Sequence, residues 1–509
     1  MLDVPATLLT AIQHQQAARY AEAETLYRAV LADDPDHPHA IYLYGLLQLR
    51  TGQTAAAVQN LGRATLLRPS YLAARLGLGR ALLVERQPAE ALFAADTILQ
   101  QEPDNAQALF LRGTALSALG RPADAVAPLR AAITADPANA AAHLNLGNAL
   151  ADLDELEAAE AAASQAVTLD PTLIEAHVSL GFILTSHGRL SEAIAACEAA
   201  IALQPGQAQA HWNLAVAALL DGDFARGFTE YEWRKRHDRF RHDFIDLPGP
   251  VWTGDDPGGR TILVHAEQGF GDTIQFARYL PLIAARGAHV VLACDARLVP
   301  LLDTLPGVAA VPLEGALPPY DAWIDQMSLP RVFATRPTTI PAAGGYLAPD
   351  PVRVASWWAA LPAGRKVGVA WAGNPGHSND RRRSLPPDAL RGMLAAPGVQ
   401  FVSLQPGSRA ADAALPDPSA RLTDYADTAA LIANLDLVVT VDTSVAHLAG
   451  ALGVPCWVLL PFAPDWRWRL GCLDSLWYAS VRLFRQPAPG AWSDVVARVV
   501  ADLARWRDA

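Results

Sequence analysis

Cysteine is scarce. Four residues in 509 (Cys197, Cys294, Cys456, Cys472) stand far apart, with no metal-ligand spacing. Scattered thiols of this kind read as small buried residues in a chain kept reduced. Basic excess is also missing. Lys and Arg number 40 against 52 Asp and Glu, a net charge of −12, which argues against a general binder of nucleic acid or membrane surface. No apolar run reaches the length of a membrane span. The N-terminus, Met1-Leu2-Asp3-Val4-Pro5, lacks the basic and apolar blocks of a signal peptide. Cytoplasmic residence is the resulting expectation, compatible with action at the inner face of a membrane.

What is present first is a period. Pro35, Pro69, Pro103, Pro137, Pro171 and Pro205 follow one another at 34 residues. Gly45, Gly79, Gly113, Gly147 and Gly181 keep the same spacing, with Ala215 next in line. Ala57, Ala91, Ala125, Ala159 and Ala193 form a third series, continued by Gly227. A period of 34 is that of a helix–turn–helix solenoid. Small residues let paired helices approach, and proline ends the second helix because it has no N–H. Gly52, Gly120, Gly188 and Gly222 fall in the turn between helices, where positive φ is needed. Three series in phase resemble the tetratricopeptide-repeat family over roughly residues 4–235.

Such repeats line a concave groove with the first helix of each pair. In this phase the groove residues include His39, Tyr42, Arg80, Gln107, Phe110, Asn148, Glu175, Phe182 and Trp212. Their mixed charge points to a polypeptide ligand rather than nucleic acid. Asn145 and Asn213 share one repeat position. The repeats resemble those of O-linked N-acetylglucosamine transferase, where a ladder of asparagines grips the substrate backbone. Here the other rungs are Leu43, Gly77, Leu111 and Ser179, so most of the ladder is missing, and two helix-surface asparagines are the competing reading.

The basic run Arg234-Lys235-Arg236-His237-Asp238-Arg239-Phe240-Arg241 lies where the repeats end and reads as a solvated helix end and linker, the alternative being a basic rim near an anionic donor or acceptor. The expected organisation is a repeat solenoid over 1–237, a linker over 238–258, and two α/β blocks over 259–350 and 351–509. Short apolar runs alternate with helical stretches in both blocks. Expected strands start at Thr261, His289, Ala322, Val367, Gln400, Leu437 and Cys456. One helix is expected from Asp272 to Arg286. This alternation predicts two parallel sheets covered by helices, hence two Rossmann-like domains with a cleft between them.

Ligands of such sheets bind beyond the carboxyl ends of the strands. Three strand ends stand out. After the first come Gln268-Gly269-Phe270-Gly271-Asp272, glycines opening a helix with an acid at its mouth. That acid is either an N-terminal cap or a general base facing the cleft. After the Leu437–Val441 run come Asp442-Thr443-Ser444, with His447 a turn later; free N–H groups there suit a diphosphate. After the Val367 run a loop gathers Arg381, Arg382 and Arg383 with His377. Guanidinium forks neutralise phosphate.

These segments, in this order, resemble the bacterial heptosyltransferase-like glycosyltransferases of the GT-B fold over about 259–509. The resemblance implies an α solenoid followed by an α/β GT-B fold. It also implies a nucleotide-sugar donor, no cofactor and no metal. By the same resemblance Asp272 is the catalytic base, and Arg383 contacts the donor phosphates where the family often has lysine. Asp442, Thr443, Ser444 and His447 bind the nucleotide-sugar, with Ser444 standing where glycine is frequent. Gln405 is expected near the nucleoside, and Gln268, Gly269 and Gly271 form the cleft loop. Repeats fused to such a transferase also resemble bacterial enzymes that modify flagellin. A protein acceptor held by the groove, through Asn145, Asn148, Trp212 and Asn213, is the main expectation. A lipid or lipopolysaccharide acceptor, or an inactive scaffold, stays open.

Overall fold

A computed structural model describes residues 3–342, 344–376, 379–405, 415, 418 and 421–508. The chain divides into two compact units, Met1–His187 and Gly188–Ala509. No helix among the described residues is long and apolar enough to cross a membrane.

The first unit is all helix, from Val4–Gln16 to Ile174–His187. The periodic small residues sit where paired helices touch. A Cβ on Gly45 would lie 2.8 Å from Leu61 Cγ, and one on Gly113 2.5 Å from Leu129 Cγ. Ala57, Ala91, Ala125 and Ala159 are fully buried. Pro35, Pro69, Pro137 and Pro171 each follow the residue that caps the second helix of a pair. The turn between helices repeats a backbone state rather than a residue. Ala18, Gly52, Arg86, Gly120, Asp154, Gly188 and Gly222 recur at the 34-residue period, and all seven have φ between 57° and 98°. Four glycines satisfy this left-handed turn without strain; three side-chain-bearing residues adopt it against their preference.

The repeat pattern does not stop where the second unit starts. Helices Leu190–Leu203, Ala208–Asp221 and Phe224–Glu230 continue it. Yet Leu219, Phe224, Phe228 and Tyr231 belong to one buried core with Ile262, Ile274, Trp466 and Trp477. The last repeat is therefore packed as part of the α/β unit. The stretch read as linker is also engaged, since Val251 bridges in parallel to Trp323 and Trp252 is buried.

Two parallel sheets follow. The first has order β3-β2-β1-β4, with β1 Thr261–His265, β2 His289–Cys294, β3 Val308–Pro312 and β4 Ala322–Asp325. The second has order β6-β5-β7-β8-β9, with β5 Lys366–Ala370, β6 Gln400–Ser403, β7 Leu437–Val441, β8 Cys456–Leu460 and β9 Val481–Arg485. β1, β5, β7 and β8 are near-continuous apolar runs because both faces are covered. The two strands absent from the sequence reading, β3 and β9, are edge strands with alternating exposure. The helix expected over Asp272–Arg286 is broken. Helix Phe270–Phe276 gives way to a tight turn at Ala277–Tyr279 and restarts at Leu280, because Pro281 has no N–H to continue the ladder.

Candidate active site

The chain leaves β1 through Ala266-Glu267-Gln268-Gly269 and enters helix Phe270–Phe276. Gln268 holds φ 65°, so the turn is tight and strained for a side-chain-bearing residue. Asp272 sits at the third position of the helix and accepts a 2.9 Å hydrogen bond from the Gly269 N–H. That is the cap the sequence allowed. Its other oxygen has a second partner. Asp272 Oδ1 accepts from Arg467 Nη2 of the second α/β half.

Arg467 was not legible as a site residue. It lies just past the carboxyl end of β8, in the tight turn Trp466–Trp468. Its guanidinium reaches Asp272, Asp465 (2.9 Å) and Gln275 Oε1 (2.6 Å) at once. The flanking tryptophans point elsewhere. Trp466 packs against Phe228 and Tyr231, and Trp468 stacks on His447 at 5.4 Å. The signal that could have found Arg467 is its place after a parallel strand, the same rule that located Asp272.

Helix Ser444–Leu452 follows β7 directly, with Thr443 as its cap: the Thr443 hydroxyl accepts from the Val445 N–H at 3.3 Å. Ser444 Oγ lies 2.8 Å from the Tyr425 hydroxyl. Arg383 ends the short helix Asp380–Arg383 and donates to the Asp442 carbonyl at 3.2 Å. A Cβ on Gly373 would lie 2.5 Å from that guanidinium, so only glycine leaves Arg383 its place. Gln405 is buried, and its Oε1 accepts from the Trp371 and Ala372 N–H groups. It thus fixes the loop after β5. His377 lies outside the described residues.

The two α/β halves meet at the site. A Cβ on Gly271 would come within 2.7 Å of His447 Cδ2, so helices Phe270–Phe276 and Ser444–Leu452 touch through the missing side chain. Phe270 packs on Tyr425 at 5.1 Å, with Arg297 over its ring at 4.5 Å.

Electrostatics separate the groups. Burial pushes the Asp272 carboxyl up, and Arg467 pulls it partly back. Burial and the neighbouring Asp465 raise Asp442 to about 6, against the pull of Arg383 and Arg467. Burial, with Arg467 and Arg278 nearby, drives His447 well below the usual imidazole range. His447 is therefore a neutral ring at pH 7, bonded through Nδ1 to the Tyr478 hydroxyl at 3.0 Å. Among the described residues no group of three or more His, Cys, Asp or Glu is arranged to hold a metal ion.

The groove residues are distributed between the units. In the first, Asn145 donates to Thr114 Oγ1 at 2.8 Å and Asn148 is exposed. In the second, Asn213 is buried and accepts from Gln209 at 2.9 Å. Trp212 packs on Phe240 at 4.6 Å and Tyr231 at 4.9 Å, beneath the segment read as a solvated end. The reading as a solvated end holds for the exposed Lys235, Arg236, Arg239 and Arg241 and needs correction at Arg234. Arg234 is fully buried and forks onto Glu267 at 2.6 and 2.9 Å, and Lys235 pairs with Asp325 at 2.9 Å. The buried Glu267 carboxylate holds Arg234 inside, while Lys235 reaches the buried Asp325 from an exposed position.

Comparison with known proteins follows the same division. Tetratricopeptide-repeat families match residues 14–66, 45–106, 76–139, 110–174 and 184–232. The glycosyltransferase family 9 (heptosyltransferase) family matches residues 420–459, the stretch that holds Tyr425, β7 and helix Ser444–Leu452. The chain thus carries tetratricopeptide repeats together with a heptosyltransferase-like segment. Protein FlbA of Caulobacter vibrioides is 32% identical over 322 residues, 57% of this chain and 54% of that protein. The chain spans about half the length of this curated relative. Among solved structures, MamA from Desulfovibrio magneticus RS-1 is 20% identical, covering 34% of this chain and 98% of its own, with a TM-score of 0.31. A tetratricopeptide repeat protein from Parabacteroides merdae is 13% identical, covering 46% and 93%, with a TM-score of 0.39.

Proposed function

We propose that this chain is a glycosyltransferase that moves a sugar from a nucleotide-sugar to a Ser or Thr hydroxyl of a protein held by the repeats, flagellin being one acceptor of that kind. The observation that carries the reading is the Asp272–Arg467 pair. A partly buried carboxylate of the first α/β half meets a cation of the second, beside the start of helix Ser444–Leu452. Asp272 takes the proton of the acceptor hydroxyl, and that oxygen bonds to the anomeric carbon as the bond to the donor phosphate breaks. Burial gives Asp272 its proton affinity; Arg467 keeps it ionised until the acceptor arrives. Arg383 and the positive end of helix Ser444–Leu452 receive the departing nucleoside diphosphate. Charge stabilisation then comes from the protein, and the reaction uses no cofactor or metal. A reduced cysteine set fits a cytoplasmic setting.

The experiment is a nucleotide-sugar panel with the full chain, read by donor turnover and by mass spectrometry of co-expressed candidate acceptors. One donor is expected to be consumed, with a sugar mass on a Ser or Thr, and Asp272→Asn is expected to lose at least 100-fold in turnover. No turnover of any donor, or an Asp272→Asn variant as active as the parent, refutes the reading.

A further inference from the structure

The end of the last repeat touches both loops that supply the Asp272–Arg467 pair. On the β1 side, Arg234 is enclosed completely, forks onto the equally enclosed Glu267 and donates to Ser328 Oγ at 3.0 Å. Glu267 in turn accepts from the Met327 N–H at 3.0 Å, so the pair ties the repeat end to the β1 loop and to the segment after β4. Next in sequence, Gln268 holds its positive φ with its Oε1 3.4 Å from the Tyr231 hydroxyl. Asp272 lies one turn beyond. On the β8 side, Tyr231 and Phe228 pack edge-on against Trp466 at 6.1 and 5.7 Å, and Arg467 is the next residue. Two positions further, Arg469 sits at φ 51° and ψ −179°, a region few residues other than glycine enter. Its guanidinium donates to the Asp221 carbonyl, at the end of a repeat helix, at 3.3 Å.

Both loops are thus bent against backbone preference, and both are held by the same repeat. Strain of this kind persists only where surrounding contacts fix it. A buried Arg–Glu fork is a poor source of stability compared with apolar packing, but it fixes geometry and register.

We propose that the last repeat is a positioning element of the catalytic pair: Arg234, through Glu267, sets the loop that presents Asp272, while Tyr231, through Trp466, sets the turn that presents Arg467. This rests on the reading of Asp272 as base. The repeats then do more than hold an acceptor, because their final turn is built into the chemistry. Removing residues 1–237 takes Arg234 out of the site, whereas a chain that begins at Gly188 keeps it.

The test uses the full chain with Arg234→Lys and Glu267→Gln. Lysine keeps the charge and loses the fork; glutamine keeps the shape and loses the charge. Amide hydrogen exchange is followed over residues 266–273 and 465–469, with helix Ser444–Leu452 as internal reference. Exchange is expected to rise at least tenfold in 266–273 and to stay unchanged in the reference helix. With a donor in hand, kcat is expected to fall at least tenfold, donor KM to stay within twofold, and the acid limb of the pH–rate profile to move. Wild-type exchange in both variants, or loosened loops with unchanged kcat and pH profile, overturns the proposal. If Arg234→Lys does not accumulate folded, Glu267→Gln decides alone. A parent without donor turnover, or an Asp272→Asn variant at full activity, counts against the base itself, and the exchange result still decides whether the repeat holds the loops.

Discussion

Replacing Gly271 by alanine isolates the contact between the two α/β halves. The new Cβ would stand 2.7 Å from His447 Cδ2. Ordinary carbon contact begins near 3.5 Å, so about 0.8 Å must open. His447 has little freedom to yield, being bonded to Tyr478 at 3.0 Å and stacked on Trp468. The helix Phe270–Phe276 must move instead, and Asp272 is its next residue. Alanine is the better helix former by ~1 kcal/mol, which offsets part of the ~1–3 kcal/mol of overpacking and leaves a net loss of ~0–2 kcal/mol in stability. Activity is the sensitive readout. Misplacement of a reacting group by ~1 Å costs on the order of 100-fold, so kcat is expected to fall roughly 10- to 100-fold, or about 1.4–2.7 kcal/mol of barrier. The assay is kcat and melting temperature for Gly271→Ala alone and in a His447→Ala background. With the imidazole gone the clash is gone, and the alanine should then cost less than about threefold. A single variant with kcat within twofold of the parent, or an undiminished loss in the double variant, refutes the argument.

Three further expectations follow from the charges and turns. Arg467→Gln removes the cation that pulls the Asp272 carboxyl down. A base is lost as pH falls through its pKa, so the acid limb of the rate profile should move to higher pH and part of the lost kcat should return at pH 9. Asp442 titrates near 6 in the folded chain, against about 3.9 unfolded, so the native state holds that proton more tightly. Its contribution to stability is complete below about pH 4 and is lost as pH rises through 6. Asp442→Asn should flatten the melting temperature between about pH 4 and 6.5, and an unchanged pH dependence would contradict the assignment. Arg86 is exposed and occupies the left-handed turn at φ 58°. Arg86→Gly should therefore stabilise the repeats by about 1 kcal/mol in a denaturant titration, and a loss instead would show that the side chain, not the backbone, decides that position.

Much of the fold could be read directly, and the reasons are local. Small residues and prolines repeat because each helix pair solves the same packing problem, as Gly45 against Leu61 and Gly113 against Leu129 show. β1, β5, β7 and β8 announce themselves because strands covered on both faces are apolar throughout. β3 and β9 lie at sheet edges, where half the side chains see water and the apolar signal thins. In the site, Asp272, Thr443 and Ser444 were legible because strand ends and helix starts are marked locally by glycine, acid and hydroxyl residues. Arg467 carries no such mark, and its role depends on a carboxylate 195 residues away in the chain.

The sequence by itself determined the period, the helix pairs, the parallel strands and the acid at the mouth of the first α/β helix. Each follows from interactions within a few residues or from a pattern repeated along the chain. Only the tertiary structure decided that Arg467 meets Asp272, that His447 is a neutral buried ring, and that Arg234 turns inward to Glu267 instead of outward to water. These depend on which surfaces are brought together across long separations. A charge takes its meaning from its surroundings: the guanidinium of Arg234 on a solvated helix end would be unremarkable, and enclosed beside Glu267 it fixes the loop that leads to Asp272.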